Sequence, residues 1–360
     1  MNIPVHTGSD DNRGVAAWLA VVCGMLVAMV VVGGITRLTH SGLSIVEWAP
    51  LMGVAPPLTE ADWIAAFESY QQYPEYRLRN RDMDLAGFKA IYFWEYLHRL
   101  LGRLIGVVVL LPWLHLLARG RLRGRRAARM GLILALGGLQ GALGWYMVKS
   151  GLVDRPDVSH LRLAAHLGMA FLILGLTLDA LLSALPSAPP PPAPRYLLPA
   201  SRLLVGAVYL QVILGALVAG LRAGLGHNTF PKMNGQWLPD GAFTLQPWWL
   251  DLVENPVTVQ FLHSTLAWLL LGGIVALWWR ARRDVGTRVK RALDGLLVAV
   301  VVQFMLGVAT LLWMVPIPLA VLHQLGGCAL FGVAVILHHV VGGASARAHK
   351  LPNPSGPANT

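Results

Sequence analysis

The chain has 360 residues, 55% of them hydrophobic and 13% charged, with a formal net charge of +11. Soluble domains carry about 25% charged residues, so a soluble globular protein is excluded. The basic residues gather in short segments between long apolar runs, so the excess charge marks membrane topology and not a nucleic-acid surface.

Eight apolar runs follow one another, over 15–35, 91–118, 129–149, 160–184, 201–221, 257–280, 292–314 and 318–342. Each is about long enough to cross a hydrocarbon core of roughly 30 Å. The first is too long for a signal-peptide core, has no small-residue cleavage site after it, and reads as a retained helix. A long outer loop, 37–88, separates it from the second run. ARGRLRGRRAAR follows the second run and RARRDVGTRVKR overlaps the end of the sixth. Both belong in the cytoplasm, and an even helix count then places both termini there too. The proline-rich SALPSAPPPPAPR after the fourth run reads as a linker near the middle of the chain. The expected fold is an all-α membrane protein of eight transmembrane helices in two pseudo-symmetric four-helix bundles. Residues 1–185 form the first, 186–200 the linker, 201–345 the second and 346–360 a cytoplasmic tail. Cys23 and Cys328 lie inside apolar runs with no CxxC spacing, so neither a disulfide framework nor a thiolate metal site is indicated.

The halves repeat. EYLHRLLGRLIG in the second run aligns with QFLHSTLAWLLLG in the sixth, matching His98 to His263 and Glu95 to Gln260. Gln140 and Gly144 share a QxxxG spacing with Gln303 and Gly307, and again with Gln211 and Gly215. His166 in the fourth run matches His323 in the eighth. Four matches in one order argue for duplication of a four-helix unit.

His98, His166, His263 and His323 all fall about five to seven residues below the outer ends of their runs, roughly 8–10 Å deep. Ionisable groups at such depth face the bundle interior and mark function. Paired neutral imidazoles on facing helices suit a flat metal cofactor held from both sides. Zinc or a di-metal carboxylate site needs more ligands, and only one Glu-x-x-His occurs at depth, Glu95 to His98. Haem with two axial histidines fits better, pairing His98 with His166 and His263 with His323. His40, His115, His160, His227, His338 and His339 lie at helix ends or in loops and are weaker candidates. Glu95 has no acidic counterpart in the second half, which suggests proton transfer or charge stabilisation beside one cofactor only. A simple ion pair with Arg99 or Arg103 is the competing reading. The two arginines are also candidates for binding haem propionates.

EYLHR, VVGGITRLTHSGLS, LQGALGWYMVKSGL, GHNTFPKMNGQWLP and HQLGG together resemble the haem A synthase family over nearly the whole chain, from about 18 to 341. The resemblance implies oxidation of the C8 methyl of haem O to a formyl group by successive hydroxylations, giving haem A for terminal oxidases. It implies substrate haem O or product haem A at His98 and His166, haem B at His263 and His323, and catalytic importance for Glu95. Haem O synthase, cytochrome oxidase assembly factors and an electron donor or acceptor are the partners it suggests, with self-association left open. Outer-loop cysteine pairs found in some members are absent here, which suits a proteobacterial or mitochondrial type, and a bacterial inner membrane is favoured. The alternative is a di-haem b-type membrane electron-transfer protein, which gives no reason for an acid in one half only.

Overall fold

The computed structural model describes residues 8–47, 52–152, 158–186 and 193–348. Ten α-helices fall in these segments: α1 (Gly8–Leu38), α2 (Glu60–Gln71), α3 (Pro74–Arg79), α4 (Leu85–Ala118), α5 (Gly124–Gly151), α6 (His160–Ala184), α7 (Leu197–Gly220), α8 (Pro256–Ala281), α9 (Thr287–Leu312) and α10 (Ile317–Ala348). All but α2 and α3 are long and apolar enough to span a membrane, so the eight expected spans are present. Helices are what the composition demands, because a lipid-exposed backbone must satisfy its own polar groups. Large apolar side chains such as Leu111, Leu203, Trp279 and Met305 remain outward-facing.

Helix contacts close two rings. In the first, α4 and α6 each pack on α1 and on α5; in the second, α8 and α10 each pack on α7 and on α9. The rings meet where α6 touches α7, α1 touches α10 and α6 touches α10. A rotation taking α1 to α7 and α6 to α10 exchanges the first two contacts and returns the third to itself. Phe171 of α6 meets Phe331 of α10 edge-on at this seam, with centroids 5.5 Å apart. On the side of the arginine-rich loops, Asp179 of α6 pairs with Arg129 of α5 and with His339 of α10, at 2.6 and 2.7 Å.

Several helices run longer than the apolar runs that predicted them, and two of the shifted starts shape the fold. α4 begins at Leu85, nearly two turns before the expected 91, capped by Asp84, whose carboxylate accepts from Gly87 N–H at 2.8 Å. Its added turns stand outside the apolar run and carry Phe88, which is fully buried against Trp63, Phe67 and Tyr70 from α2. α2 thus forms a small aromatic cluster with the protruding end of α4. α7 begins at Leu197, inside the stretch read as linker. Pro199 falls in its first turn, where a missing N–H costs no helical hydrogen bond. The linker's prolines at 189–192 and the tail beyond 348 lie outside the described residues.

Candidate functional site

His98 sits on α4, His166 on α6, His263 on α8 and His323 on α10. Each ring lies against a glycine of the neighbouring helix. A Cβ built on Gly33 would come within 2.9 Å of His98 Cε1. The same atom of His166 would be met at 3.2 Å from Gly144, that of His263 at 3.1 Å from Gly215, and that of His323 at 2.9 Å from Gly307. Any side chain there would displace the imidazole, so the four glycines are seats for the rings. Gly33 and Gly215 lie on equivalent helices of the two rings, as do Gly144 and Gly307.

Glutamines one turn before three of these glycines fix the same helices. Gln140 Nε2 donates to His166 O at 3.0 Å, Gln211 Nε2 to His263 O at 3.0 Å, and Gln303 Nε2 to His323 O at 2.9 Å. Gln140 and Gln211 Nε2 also lie 3.3 and 3.4 Å from the Nε2 of their histidines. The HQLGG stretch is explained in the same terms. Gly326 leaves space for Gln303, while Gln324 crosses the seam and donates to Val30 O on α1 at 3.1 Å.

His98 and His166 thus belong to helices of the first ring, and His263 and His323 to helices of the second. All four Nδ1 atoms are buried without a hydrogen-bond partner. Among the described residues no three His, Cys, Asp or Glu side chains gather as a metal site. Two imidazoles per site, seated on glycine and lacking a third protein donor, fit an iron already held in a macrocycle and not a bare ion.

Glu95 is 2% exposed, with four donors on its carboxylate. Ser44 Oγ and Ile45 N–H each donate to Oε2 at 2.7 Å. Arg99 donates to Oε1 from Nε at 3.1 Å and from Nη2 at 2.6 Å, and Nη2 also reaches Ile45 O at 2.8 Å. The ion pair with Arg99 is therefore real, but it is one side of a clamp that ties the segment after α1 onto α4. Arg103 lies one turn further along α4, partly buried. In the second half Gln260 is equally buried but reversed in polarity: its Nε2 donates to His227 O at 2.8 Å, and its Oε1 has no partner.

A family described as cytochrome oxidase assembly protein, COX15-CtaA, matches residues 16–335. The chain belongs to the COX15-CtaA family. Among its relatives, the haem A synthase of Rhodospirillum centenum is 49% identical over 331 residues, 91% of this chain and 88% of the relative. The haem A synthase of Parvibaculum lavamentivorans is 45% identical over 325 residues, covering 90% and 93%. That of a Bradyrhizobium species (strain BTAi1) is 48% identical over 324 residues, covering 88% of each.

Three features of this COX15-CtaA chain escape a reading by residue type. Ser44 and Ile45 contact Glu95 across 50 residues or more of sequence, and a serine and a main-chain N–H carry no motif. Gly33 escapes because Met29 breaks the QxxxG pattern at the fourth position; the GG of VVGGITR was the available signal. Asp179 escaped as well, although a lone acid in an apolar run was the available signal. The weaker histidines hold structural bonds: His338 Nδ1 meets Ser201 Oγ at 3.0 Å, and His160 lies 3.3 Å from Glu254.

Proposed function

We propose that this multi-pass membrane protein oxidises the C8 methyl of haem O to a formyl group, through the alcohol and the aldehyde hydrate, making haem A for terminal oxidases. Membership of a family whose relatives are named haem A synthases supports the activity. The observation that carries the assignment of sites is the clamped Glu95 beside the His98–His166 pair, set against the neutral Gln260 beside the His263–His323 pair.

On this reading residues 1–185 are the catalytic half. His98 and His166 hold the iron of haem O, and then of haem A. Residues 201–345 hold haem B through His263 and His323, and when bound that group supplies one-electron transfer. Glu95 is the catalytic residue. Sequence left two roles for it, a proton shuttle or a fixed charge, and the clamp favours the second. Both oxygens already accept two donors, so a proton enters only by displacing one of them. A carboxylate held this firmly would offer fixed negative charge to positive charge developing on a bound haem, without reorganising. Arg99 anchors that charge. Arg99 and Arg103 are both propionate candidates.

The arginine-rich loops argue for both termini in the cytoplasm of a bacterial inner membrane. Haem O arrives from its synthase and haem A leaves to oxidase assembly factors, with an electron donor or acceptor between. The test is expression in a host that makes haem O but no haem A, followed by extraction and chromatography of the haems. Hydroxylated haem O and haem A are expected. Recovery of haem B alone would overturn the reading.

A further inference from the structure

We infer that His98 is the one histidine of the four built to leave its iron, and that Met29 is what allows it. The inference rests on the bis-histidine reading above.

The four seats are alike except at one position. Gln140, Gln211 and Gln303 stand one turn before the seat glycine, each with its amide on the main-chain carbonyl of the seated histidine. For two of them the same amide nitrogen also borders the ring. On α1 that position is Met29, whose thioether has no N–H to give. Its methyl instead packs against Gly102, 3.4 Å from where a Cβ would lie, one turn below His98. Small residues stand at the matching place on every histidine helix: Gly102, Ala170, Ala267 and Gly327. The slot for a neighbouring side chain is thus kept in all four, and only its filling differs.

The difference acts on the side chain more than on the helix. α4 is well anchored near His98 by the Glu95–Arg99 clamp and by Thr36 Oγ1, which donates to Trp94 O at 3.2 Å while also bonding Val32 O at 2.8 Å. What His98 lacks is the amide that the other three seats place on the histidine's own carbonyl. An unbranched thioether with three rotatable bonds makes a soft wall that accommodates a swinging imidazole. Nδ1 is buried without a partner in all four histidines, so the glutamine amide is the feature that sets the other three seats apart from that of His98. With haem held by both histidines, departure of His98 would free a place for an outside ligand; the imidazole would keep its lone pair and no electron would change hands.

Carbon monoxide reads this departure without turnover. The purified holoprotein, reduced with dithionite, is titrated with carbon monoxide and followed by difference absorbance, with the haem content of each sample measured alongside. The first-half haem of the wild-type protein takes up carbon monoxide, and the haem B of the second half does not. Met29→Gln weakens that uptake about three- to fifteenfold, the span of one interhelical hydrogen bond in a membrane, with haem content unchanged. Gln211→Met works in the opposite direction and makes the second-half haem B carbon monoxide-reactive, so a gain of binding guards against a merely misfolded variant. Wild-type protein that binds no carbon monoxide, or a Met29→Gln variant with unaltered affinity, overturns the inference. His98→Ala and His166→Ala proteins that keep full first-half haem content overturn the underlying ligand assignment instead.

Discussion

Replacing Glu95 by glutamine is the most informative single change, because the second half already carries that residue. The wild-type carboxylate accepts from Ser44 Oγ, Ile45 N–H and two nitrogens of Arg99. A carboxamide presents one oxygen and one NH2, so donors must face donors on one side. The less costly orientation turns the NH2 towards Ser44 and Ile45. The serine hydroxyl can rotate to accept, but the Ile45 N–H cannot, and an orphaned buried N–H costs about 1–3 kcal/mol. Arg99, whose side chain is 14% exposed, keeps its bonds to the oxygen and loses its counter-charge. Removing one partner of a buried ion pair costs about 3–5 kcal/mol. Taking on the order of 4 kcal/mol as the whole, and placing it on local opening of the 41–47 segment, opening becomes about a thousandfold easier. Hydrogen exchange with mass spectrometry on peptides spanning that segment reads this directly, and haem chromatography of the same preparation reads turnover. Glu95→Gln should exchange at least a hundredfold faster there, retain haem B, and accumulate haem O. Unchanged exchange together with normal conversion of haem O would refute both the clamp and the role given to its charge.

Ser44→Ala removes one donor and leaves the other three in place. It should cut haem A yield about tenfold while leaving bound haem B untouched, measured by the same chromatography. Gly307→Val places a Cβ 2.9 Å from His323 Cε1 and should empty the second half of haem B with the first half still loaded, as a pyridine haemochrome assay reports. Asp179→Asn breaks the bonds to Arg129 and His339; both partners are partly exposed, so about 1 kcal/mol is expected, a fall of roughly 2 °C in the unfolding midpoint in detergent. Asp251, in the segment before α8, gives a pH prediction. Burial pushes its carboxyl up, but bonds from Asn255, Leu245 N–H, Thr258 and Thr244 N–H pull it further down, to a net lowering. A carboxyl lowered on folding adds stability above the ordinary aspartate value of about 3.9 and loses it as pH falls through the folded value. The loop should therefore stay latched at neutral pH and open only below about pH 4, with fluorescence from the adjacent Trp248 and Trp249 as the reporter.

Much of the molecule can be read from one chain because a membrane makes two patterns obligatory. Apolar length set the eight helices, and the depth of charge singled out Glu95, His98, His166, His263 and His323. The duplication then supplied its own alignment, so the correspondence of His98 on α4 with His263 on α8, and of His166 on α6 with His323 on α10, was legible before any coordinates. Contacts made by side chains without a signature were not. Ser44 reaches Glu95 from a loop, and Met29 marks its site by failing to be glutamine, which becomes visible only when four seats are superimposed. The early start of α4 was hidden for a related reason. Its first turns are stabilised by an aromatic cluster with Trp63, Phe67 and Tyr70, where hydropathy says nothing of a helix.

The seam between the rings bears on how two unlike sites arose. A free four-helix unit pairing with its own copy through the same α6–α10 type of contact would carry every substitution twice. Glu95 could not then face a Gln260, nor Met29 a Gln211, because one gene would write both sites. Joining the copies in a single chain lifts that restriction while the packing stays the same. One site can acquire charge and a loose ligand, and the other can stay neutral and tightly bound, with neither change imposed on its twin.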